Sequence, residues 1–228
     1  MAIPIRKKLA DDIADYLIEK IIRMEIAPGQ RIVEADVAKD FAVSHGPVRE
    51  ALIILDKYHL VELIPRRGAR VKELSITDIR CLFEIMTEIT GLVASLCSKN
   101  RSQKELDNLL TLGNKAVELA SIEDINGYFV AIYDFSLASL SATKNHLLAQ
   151  IIHDWIPCLR RAYFISISHS SINLKESARV LRNILTHIEK ENSSMARLTI
   201  QQYFKKEEKR ILHIISEYME NEDEMLQA

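Results

Sequence analysis

The sequence predicts a mainly α-helical fold: an N-terminal winged helix-turn-helix with a small β-wing, followed by an all-α bundle of six or seven helices. Before residue 75, stretches with helical apolar periodicity lead into an extended apolar run and a basic turn, the order of elements in a winged helix-turn-helix. From residue 75 onward, Leu, Ile and Ala recur at helical spacing, with three glycines, a single proline and no competing strand pattern. The predicted domains are therefore residues 1–74 and 75–228.

Length and composition are those expected of a soluble protein with two hydrophobic cores. The chain has 228 residues, of which 48% are hydrophobic, and no run of roughly eighteen apolar residues that could cross a membrane. No apolar segment typical of a signal peptide lies at the N-terminus, so we expect a cytoplasmic protein. Cys81, Cys97 and Cys158 are widely spaced and odd in number, which favours buried free thiols over disulfides or a metal site.

Two helices are expected before the last helix of the helix-turn-helix motif. An apolar stripe predicts the first helix from Leu9 to about Met24, and Pro28 and Gly29 lie in the break that follows it. The second helix is predicted from Glu34 to Phe41. Together with the helix that follows, they form a compact core of three helices.

The segment from Phe41 to Leu55 is predicted to be the turn and recognition helix of that motif. Ser44 can cap the first amides of the helix, and Pro47 loses no helical hydrogen bond in a first turn. Arg49 and Ile53 fall on other faces than the apolar stripe, so one face packs while another can enter a DNA groove. The stripe consists of Val48, Ala51, Leu52 and Leu55.

A basic wing is expected after the recognition helix. The apolar run Leu60–Ile64 and the segment Pro65–Val71 predict two strands joined by a tight turn. The net charge of −2 does not by itself indicate a nucleic-acid partner, but local basic clusters beside the recognition helix do. These clusters are Arg66, Arg67, Arg70 and Lys72 on the wing, and Arg6, Lys7 and Lys8 before the first helix.

The second domain is predicted to contain at least six helices. Ser75, Ser102 and Asn173 supply capping signals at three of their starts. Pro157 lies inside the fourth predicted helix and should kink it near residues 153–156. Such a bundle is large enough to hold an internal pocket. The predicted helices span residues 76–98, 103–120, 125–140, 146–165, 174–191 and 194–219.

In these motifs and in their order, the chain resembles the GntR family of bacterial transcription regulators, in the subfamily whose C-terminal half is the FCD helical domain. The resemblance covers nearly the whole chain, and an ordered set of motifs is far more specific than a lone helix-turn-helix pattern. Three segments carry it: Ile26–Glu34 with its Pro-Gly and Arg, Val43–Leu52 with Val-Arg-Glu-Ala-Leu, and the glycine-containing wing Pro65–Val71.

The resemblance implies a homodimer that binds a palindromic operator in double-stranded DNA. Members of the family place the N-terminus of the recognition helix in the major groove and the wing near the minor groove. Arg49 would then contact a guanine or clamp a phosphate, and Gly68 would let the wing backbone approach the duplex. The candidate DNA-contacting residues are Arg31, Ser44, His45, Gly46, Arg49, Arg66, Arg67 and Gly68.

Two positions at the tip of the recognition helix depart from the family pattern. His45 and Gly46 stand where the pattern has Arg and Thr, which removes a permanent guanidinium and a hydroxyl. Histidine can donate to a base edge but is not equivalent to a bidentate arginine. We therefore expect an operator that differs from the usual family half-site, with weakened DNA binding as the alternative.

The helical domain departs from the family at its metal site. Many members bind a divalent metal through an aspartate and three histidines. The corresponding positions here are Ile132, Ser136, Leu181 and Tyr203, none of which replaces imidazole or carboxylate on zinc. We therefore expect no metal or other cofactor.

A candidate effector pocket combines these positions with other residues of the bundle. Met86 and Thr90 replace an arginine and a glutamate of the family pattern, so we expect an apolar or weakly polar effector, or none. Aromatic residues at helical spacing are commonly core, so a packed interior remains the alternative. The candidate pocket residues are Met86, Thr90, Tyr128, Ile132, Tyr133, Ser136, His153, Arg160, Leu181 and Tyr203.

The sequence thus favours a sequence-specific DNA-binding transcription regulator, a repressor, whose helical domain dimerises and senses a small molecule. An effector can shift such a protein between two states only through its differential affinity for them. The alternatives are an effector-independent regulator and a protein-interaction adaptor with weakened DNA binding. An enzyme is disfavoured, because the sequence contains no G-x-S-x-G, H-E-x-x-H, P-loop or dinucleotide-binding pattern.

Overall fold

A computed structural model describes residues 9–65 and 67–227, and its N-terminal part is a winged helix-turn-helix. The sheet has the strand order β1-β3-β2 and is antiparallel throughout. Arg66 and the basic cluster at residues 6–8 lie outside the described residues. The elements are α1 (Leu9–Ile22), β1 (Arg31–Ile32), α2 (Glu34–Asp40), α3 (His45–Lys57), β2 (Val61–Ile64) and β3 (Gly68–Val71).

Seven helices follow in the described part of the chain, which confirms the predicted all-α bundle. The single helix predicted for residues 146–165 is wrong, because two separate helices occupy this region. The turn between them, at residues 154–155, lies within the residues 153–156 where a kink was predicted. Pro157 lies in the first turn of the second of them, where its missing amide loses no helical hydrogen bond. The helices are α4 (Ile76–Asn100), α5 (Gln103–Ser121), α6 (Ile125–Ala142), α7 (His146–His153), α8 (Ile156–His169), α9 (Ser171–Glu189) and α10 (Ser193–Gln227).

Two of the three capping signals predicted in the second domain are confirmed, whereas Ser44 of the first domain makes no capping hydrogen bond among the described residues. The Ser75 hydroxyl accepts a hydrogen bond from a backbone amide at the start of α4, and Ser102 forms a complete capping box with Glu105 at the start of α5. The prediction for Asn173 is wrong, because α9 begins three residues earlier than expected and is capped by Ser170. The Asn173 side chain instead donates to a backbone carbonyl of α8.

The chain forms two compact units. Unit 1 contains the residues up to Leu74 together with His153–Ala162, and unit 2 contains Ser75–Ile152 and the residues from Tyr163 onward. The first half of α8 therefore packs with the winged helix-turn-helix, although it lies in the middle of the helical region of the sequence.

The core of unit 1 lies where α1 packs against α3. Ile13 and Ile21 of α1, with Leu52 and Leu55 of α3, are completely or almost completely buried. Burying a side chain of this size stabilises a fold by about 1.5–3 kcal/mol. This packing fixes the orientation of α3 and thereby determines which of its side chains stay exposed.

Gly68, at the start of β3, is required by the packing of the sheet itself. Its φ is +93°, and an added Cβ would lie 2.1 Å from the Ile32 carbonyl oxygen. Gly68 is also buried, so it serves the close approach of β1 to β3. The sequence-based expectation that this glycine also lets the wing backbone approach DNA stays a prediction.

The core of unit 2 is centred on α4 and α10. The rings of Phe83 and Phe204 lie 5.8 Å apart between these helices, and Arg197 of α10 donates to Glu88 of α4 at 3.0 Å. By length and composition alone, α4 could cross a membrane. Its packing against α10 is that of the central helix of a folded bundle.

We expect Gly68→Ala to lower the free energy of unfolding by about 2 kcal/mol or more, because the methyl group meets backbone atoms at a positive φ. Gly46→Ala is the matched control, since its Cβ would meet only the Ser44 hydroxyl at 3.9 Å. This control should be neutral or stabilising by up to about 1 kcal/mol. Denaturant unfolding of both variants and the parent measures the difference, and equal stability of all three would contradict the role of Gly68.

Candidate nucleic-acid interface

The N-terminal tip of α3 is exposed and offers hydrogen-bonding groups. Ser44 occupies the N-cap position with extended backbone angles, but within the described residues its hydroxyl makes no capping hydrogen bond. Ser44, His45 and Gly46 are all exposed. The first amides of a helix have no intrahelical acceptor, so the tip can receive an anionic oxygen such as that of a phosphate.

Arg49, one turn into α3, is held by a carboxylate from the preceding helix. Its Nε donates to Oε2 of Glu34 at 2.7 Å. The side chain of Glu34 is 16% exposed and that of Arg49 is 63% exposed. Because Nε is the atom that is bound, the guanidinium is oriented while its two terminal nitrogens are left for a base edge or a phosphate.

Glu34 also lies near the second basic side chain of the tip. His45 Nδ1 is 3.9 Å from the same carboxylate oxygen that accepts from Arg49, and protonation of the ring would turn this approach into an ion pair. This role of Glu34 was not predicted from the sequence, where the residue is only one member of a motif. The sequence feature that could have indicated this role is a carboxylate at the start of α2, the helix before the one that carries Arg49.

The wing places further arginines on the exposed face of the sheet. Strand register sets Arg31 of β1 opposite Arg70 of β3, and both are exposed. Nη2 of Arg31 donates to the backbone carbonyl of Arg67 at 3.2 Å, which ties β1 to the wing turn. Arg67, in the turn between β2 and β3, is exposed as well, so the described residues of the sheet and its turn include three exposed guanidinium groups that suit phosphates.

A groove of about 440 Å³ runs between α3 and the wing. The ion pair of Glu34 and Arg49 lines it together with mainly apolar side chains from both elements. The groove therefore combines an oriented guanidinium with an apolar surface. The remaining lining residues are Leu52, Ile53, Leu63, Ile64, Pro65 and Gly68.

In unit 2, three tyrosines converge on a single serine. Ser177 Oγ lies 2.7 Å from the hydroxyl of Tyr128, accepts from Tyr203 at 2.9 Å, and is hydrogen-bonded to Tyr163. Tyr163 also donates to Tyr128 at 3.2 Å. We call these four residues the hydroxyl cluster. Burial raises the pKa values of all three tyrosines, so their hydroxyls stay protonated.

The structure brings Tyr128 and Tyr203 together in the hydroxyl cluster, but two other pocket candidates belong to unit 1. Nη1 of Arg160 donates to Glu19 of α1 at 2.6 Å, and His153 is an exposed residue at the end of α7. Sequence reasoning missed Ser177, because a lone serine within a helical stretch carries no motif.

Two of the remaining pocket candidates form hydrogen bonds within their own helices. Thr90 donates to the carbonyl of Met86 one turn earlier, and Ser136 donates to the carbonyl of Ile132 in the same way. Both hydroxyls thus satisfy their own helices. Met86 and Leu181 are buried, whereas Ile132 and Tyr133 are half-buried.

The residues at the family's metal positions do not fit a divalent cation. Tyr203 is hydrogen-bonded within the hydroxyl cluster, and Ile132 and Leu181 have no ligand atom. Within residues 9–65 and 67–227, no group of three or more His, Cys, Asp or Glu side chains is placed to hold a metal ion. The chemistry of this site is therefore that of neutral hydroxyl groups.

Comparison with known families matches both parts of the chain. The model for bacterial regulatory proteins of the gntR family matches residues 9–71, and the FCD domain model matches residues 81–206. The uncharacterised HTH-type transcriptional regulator YdhC of Bacillus subtilis strain 168 is 27% identical over 217 residues, which cover 91% of this chain and 92% of that protein.

Two further comparisons cover a short segment and the fold. The HTH-type transcriptional repressor RspR of Escherichia coli K12 is 40% identical over 60 residues, which are 26% of each chain. The structure of E. coli McbR/YncC matches with a TM-score of 0.78 at 17% identity and covers 92% of this chain and 99% of that one. At that identity, the structural match shows a shared fold.

We expect Arg49→Ala to weaken duplex DNA binding by about 1–3 kcal/mol, because it removes a bidentate contact. Glu34→Ala should weaken binding less, since it releases the orientation of Arg49 but keeps the charge. The double variant should bind like Arg49→Ala alone, since Glu34 acts through Arg49. Fluorescence anisotropy titrations measure all three affinities, and additive losses in the double variant would contradict this positioning role.

In unit 2, Ser177→Ala should lower the free energy of unfolding by about 1–3 kcal/mol, because it leaves buried tyrosine hydroxyls without their shared partner. Ser139→Ala is the matched control, since Ser139 is also a buried serine but lies outside the hydroxyl cluster. Thermal unfolding of both variants measures the contrast. The cluster has no structural role if the two variants are equally stable.

Proposed function

This chain belongs to the gntR family of bacterial regulatory proteins and carries an FCD domain, and from that premise we propose that it is a cytoplasmic homodimeric repressor that binds a palindromic operator. It is a transcription regulator and not an enzyme. The proposed repression agrees with the repressor function of RspR, which is similar to this chain over a short segment.

The observation that carries the DNA-binding proposal is the oriented guanidinium of Arg49. Glu34 holds its Nε at 2.7 Å, at an exposed helix tip beside the exposed arginines of the wing. The proposal thus rests on a local arrangement of cations, which the net charge of −2 does not reveal. Arg49 reads a base edge or a phosphate, and the wing arginines contribute phosphate contacts.

The proposed palindromic operator requires a homodimer. One winged helix reads only a short half-site, so two copies related by a twofold axis are needed to read a palindrome. In this proposal, dimerisation is assigned to the FCD domain.

The hydroxyl cluster is the proposed site of effector action in unit 2. Its groups are neutral, so it suits a small, weakly polar ligand that exchanges hydrogen bonds with Ser177 or the tyrosines. A carboxylate or a metal complex is disfavoured, because no cation lies among the four hydroxyls. Such a ligand acts only if it binds two arrangements of the cluster with different affinity.

Helix α8 offers a route from this cluster to the recognition helix. Tyr163 of α8 belongs to the cluster, and the preceding residues of α8 pack in unit 1. There, Cys158 Sγ donates to the carbonyl of Tyr58 at 3.2 Å, and Asp154, just before α8, pairs with Lys57 at 3.0 Å. Lys57 and Tyr58 form the C-terminal end of α3, so a shift of α8 would act on the recognition helix.

An effector-independent regulator is the second candidate. The observation that favours it is that the cluster satisfies its own hydrogen bonds: Ser177 Oγ has three hydroxyl partners, which match its one donor and two acceptor sites. Native mass spectrometry of the purified protein separates the two candidates. A retained small molecule supports effector binding, and ligand-free protein whose stability no metabolite fraction changes supports independence.

DNA binding that weakens with salt is the expected result for the regulator. Gel shifts with a randomised duplex pool at several salt concentrations should give a log–log slope of about −0.9 for each phosphate neutralised. The selected inverted repeat should bind two chains, and a duplex with a single half-site should bind more weakly. An adaptor that has lost its DNA-binding function would bind no duplex at any salt concentration.

A further inference from the structure

Ile53 is a large apolar side chain left exposed on the recognition helix. It is 57% exposed, the highest value among the large hydrophobic residues of unit 1 that the structure describes. Single exposed apolar residues are common on protein surfaces, so exposure alone indicates nothing. The position of Ile53 on α3 is what sets it apart.

Ile53 continues the face of α3 that carries the basic tip. His45, Arg49 and Ile53 are spaced four residues apart, and residues at this spacing lie one above the other on a helix. The side chains of His45 and Arg49 are 57% and 63% exposed. All three therefore project from the same side of the helix, and Ile53 also lines the groove that contains Arg49.

The chemistry of the major groove limits what an apolar side chain on this face can recognise. The edges of the base pairs present hydrogen-bond donors and acceptors there, and their apolar feature is the 5-methyl group of thymine. Isoleucine offers no hydrogen bond, so it discriminates among bases only through contact with that methyl group. Arg49, by contrast, recognises an acceptor edge such as that of guanine.

We propose that Ile53 is a specificity-determining residue that contacts the 5-methyl group of one thymine in each half-site. The proposal rests on the DNA-binding function proposed above and adds a base preference to it. Four residues of a helix rise by about 6 Å, which corresponds to nearly two base-pair steps of about 3.4 Å. The thymine is therefore expected within about two base pairs of the base that Arg49 contacts.

Deoxyuridine provides the test, because it keeps the hydrogen-bonding edge of thymine and lacks only the methyl group. The full chain first selects its preferred duplex from a randomised pool. Each thymine of that duplex is then replaced in turn by deoxyuridine, and the affinities of the parent and of Ile53→Ala are measured by fluorescence anisotropy. Ile122→Ala is the control, since Ile122 is also exposed but lies in the turn after α5.

The parent should bind about fourfold more weakly when one particular thymine of one half-site loses its methyl group, and about fifteenfold more weakly when the symmetry-related thymine loses its methyl group as well. Ile53→Ala should bind the thymine duplex more weakly by a factor similar to the latter and should not respond to deoxyuridine at that position. The control should behave like the parent in both respects. Circular dichroism melting should give the same midpoint for all three proteins, because both isoleucines are exposed.

Two results overturn the assignment while leaving the regulator proposal intact. One is that no deoxyuridine substitution weakens binding by the parent. The other is that Ile53→Ala keeps the full response to deoxyuridine, which would mean that another residue contacts the methyl group. Failure of the parent to bind any duplex in a salt-dependent manner overturns the regulator proposal itself, and the role of Ile53 with it.

Discussion

The hydrogen bond between Glu34 and Arg49 is the interaction on which the DNA-facing surface depends. With Arg49 63% exposed, an ion pair of this kind contributes at most about 1 kcal/mol to stability. Its effect is on orientation, because it holds a flexible guanidinium in one place. In the proposed complex with DNA, less entropy would then be lost on binding. The bond exists because the buried face of α3 packs on α1, which sets the position of Arg49 beside the start of α2.

In the helical domain, the polar side chains of the hydroxyl cluster are satisfied by one another. A divalent metal would need charged or imidazole ligands, whereas Ser177 and three tyrosines bind one another. Burial raises the pKa values of these tyrosines, which keeps all the groups neutral and avoids the large cost of a buried charge. The effector proposed for this site would therefore act by exchanging hydrogen bonds with these hydroxyl groups.

Periodicity in the sequence was sufficient to predict the long helices and the wing, because amphipathic spacing is imposed by a buried core. It could not predict β1, whose two residues form a strand only through pairing with β3. The cap of α9 was misassigned because Ser170 and Asn173 offer competing local hydrogen bonds. The hydrogen bond between Glu34 and Arg49 could not be predicted either, because the two residues are fifteen positions apart and spacing alone does not show which side chains meet.

The recognition helix is held at its two ends by different parts of the chain. Near its N-terminus, Arg49 is oriented by α2 from within the DNA-binding motif, whereas Cys158 and Asp154, from the middle of the helical region, contact its C-terminus. A further contact comes from Arg161, a buried residue of α8, which donates to the Lys72 carbonyl at 2.8 Å. The side chains at the N-terminal tip are thus oriented from within the winged helix-turn-helix, while the C-terminal end of the same helix is held by α8 and the turn before it.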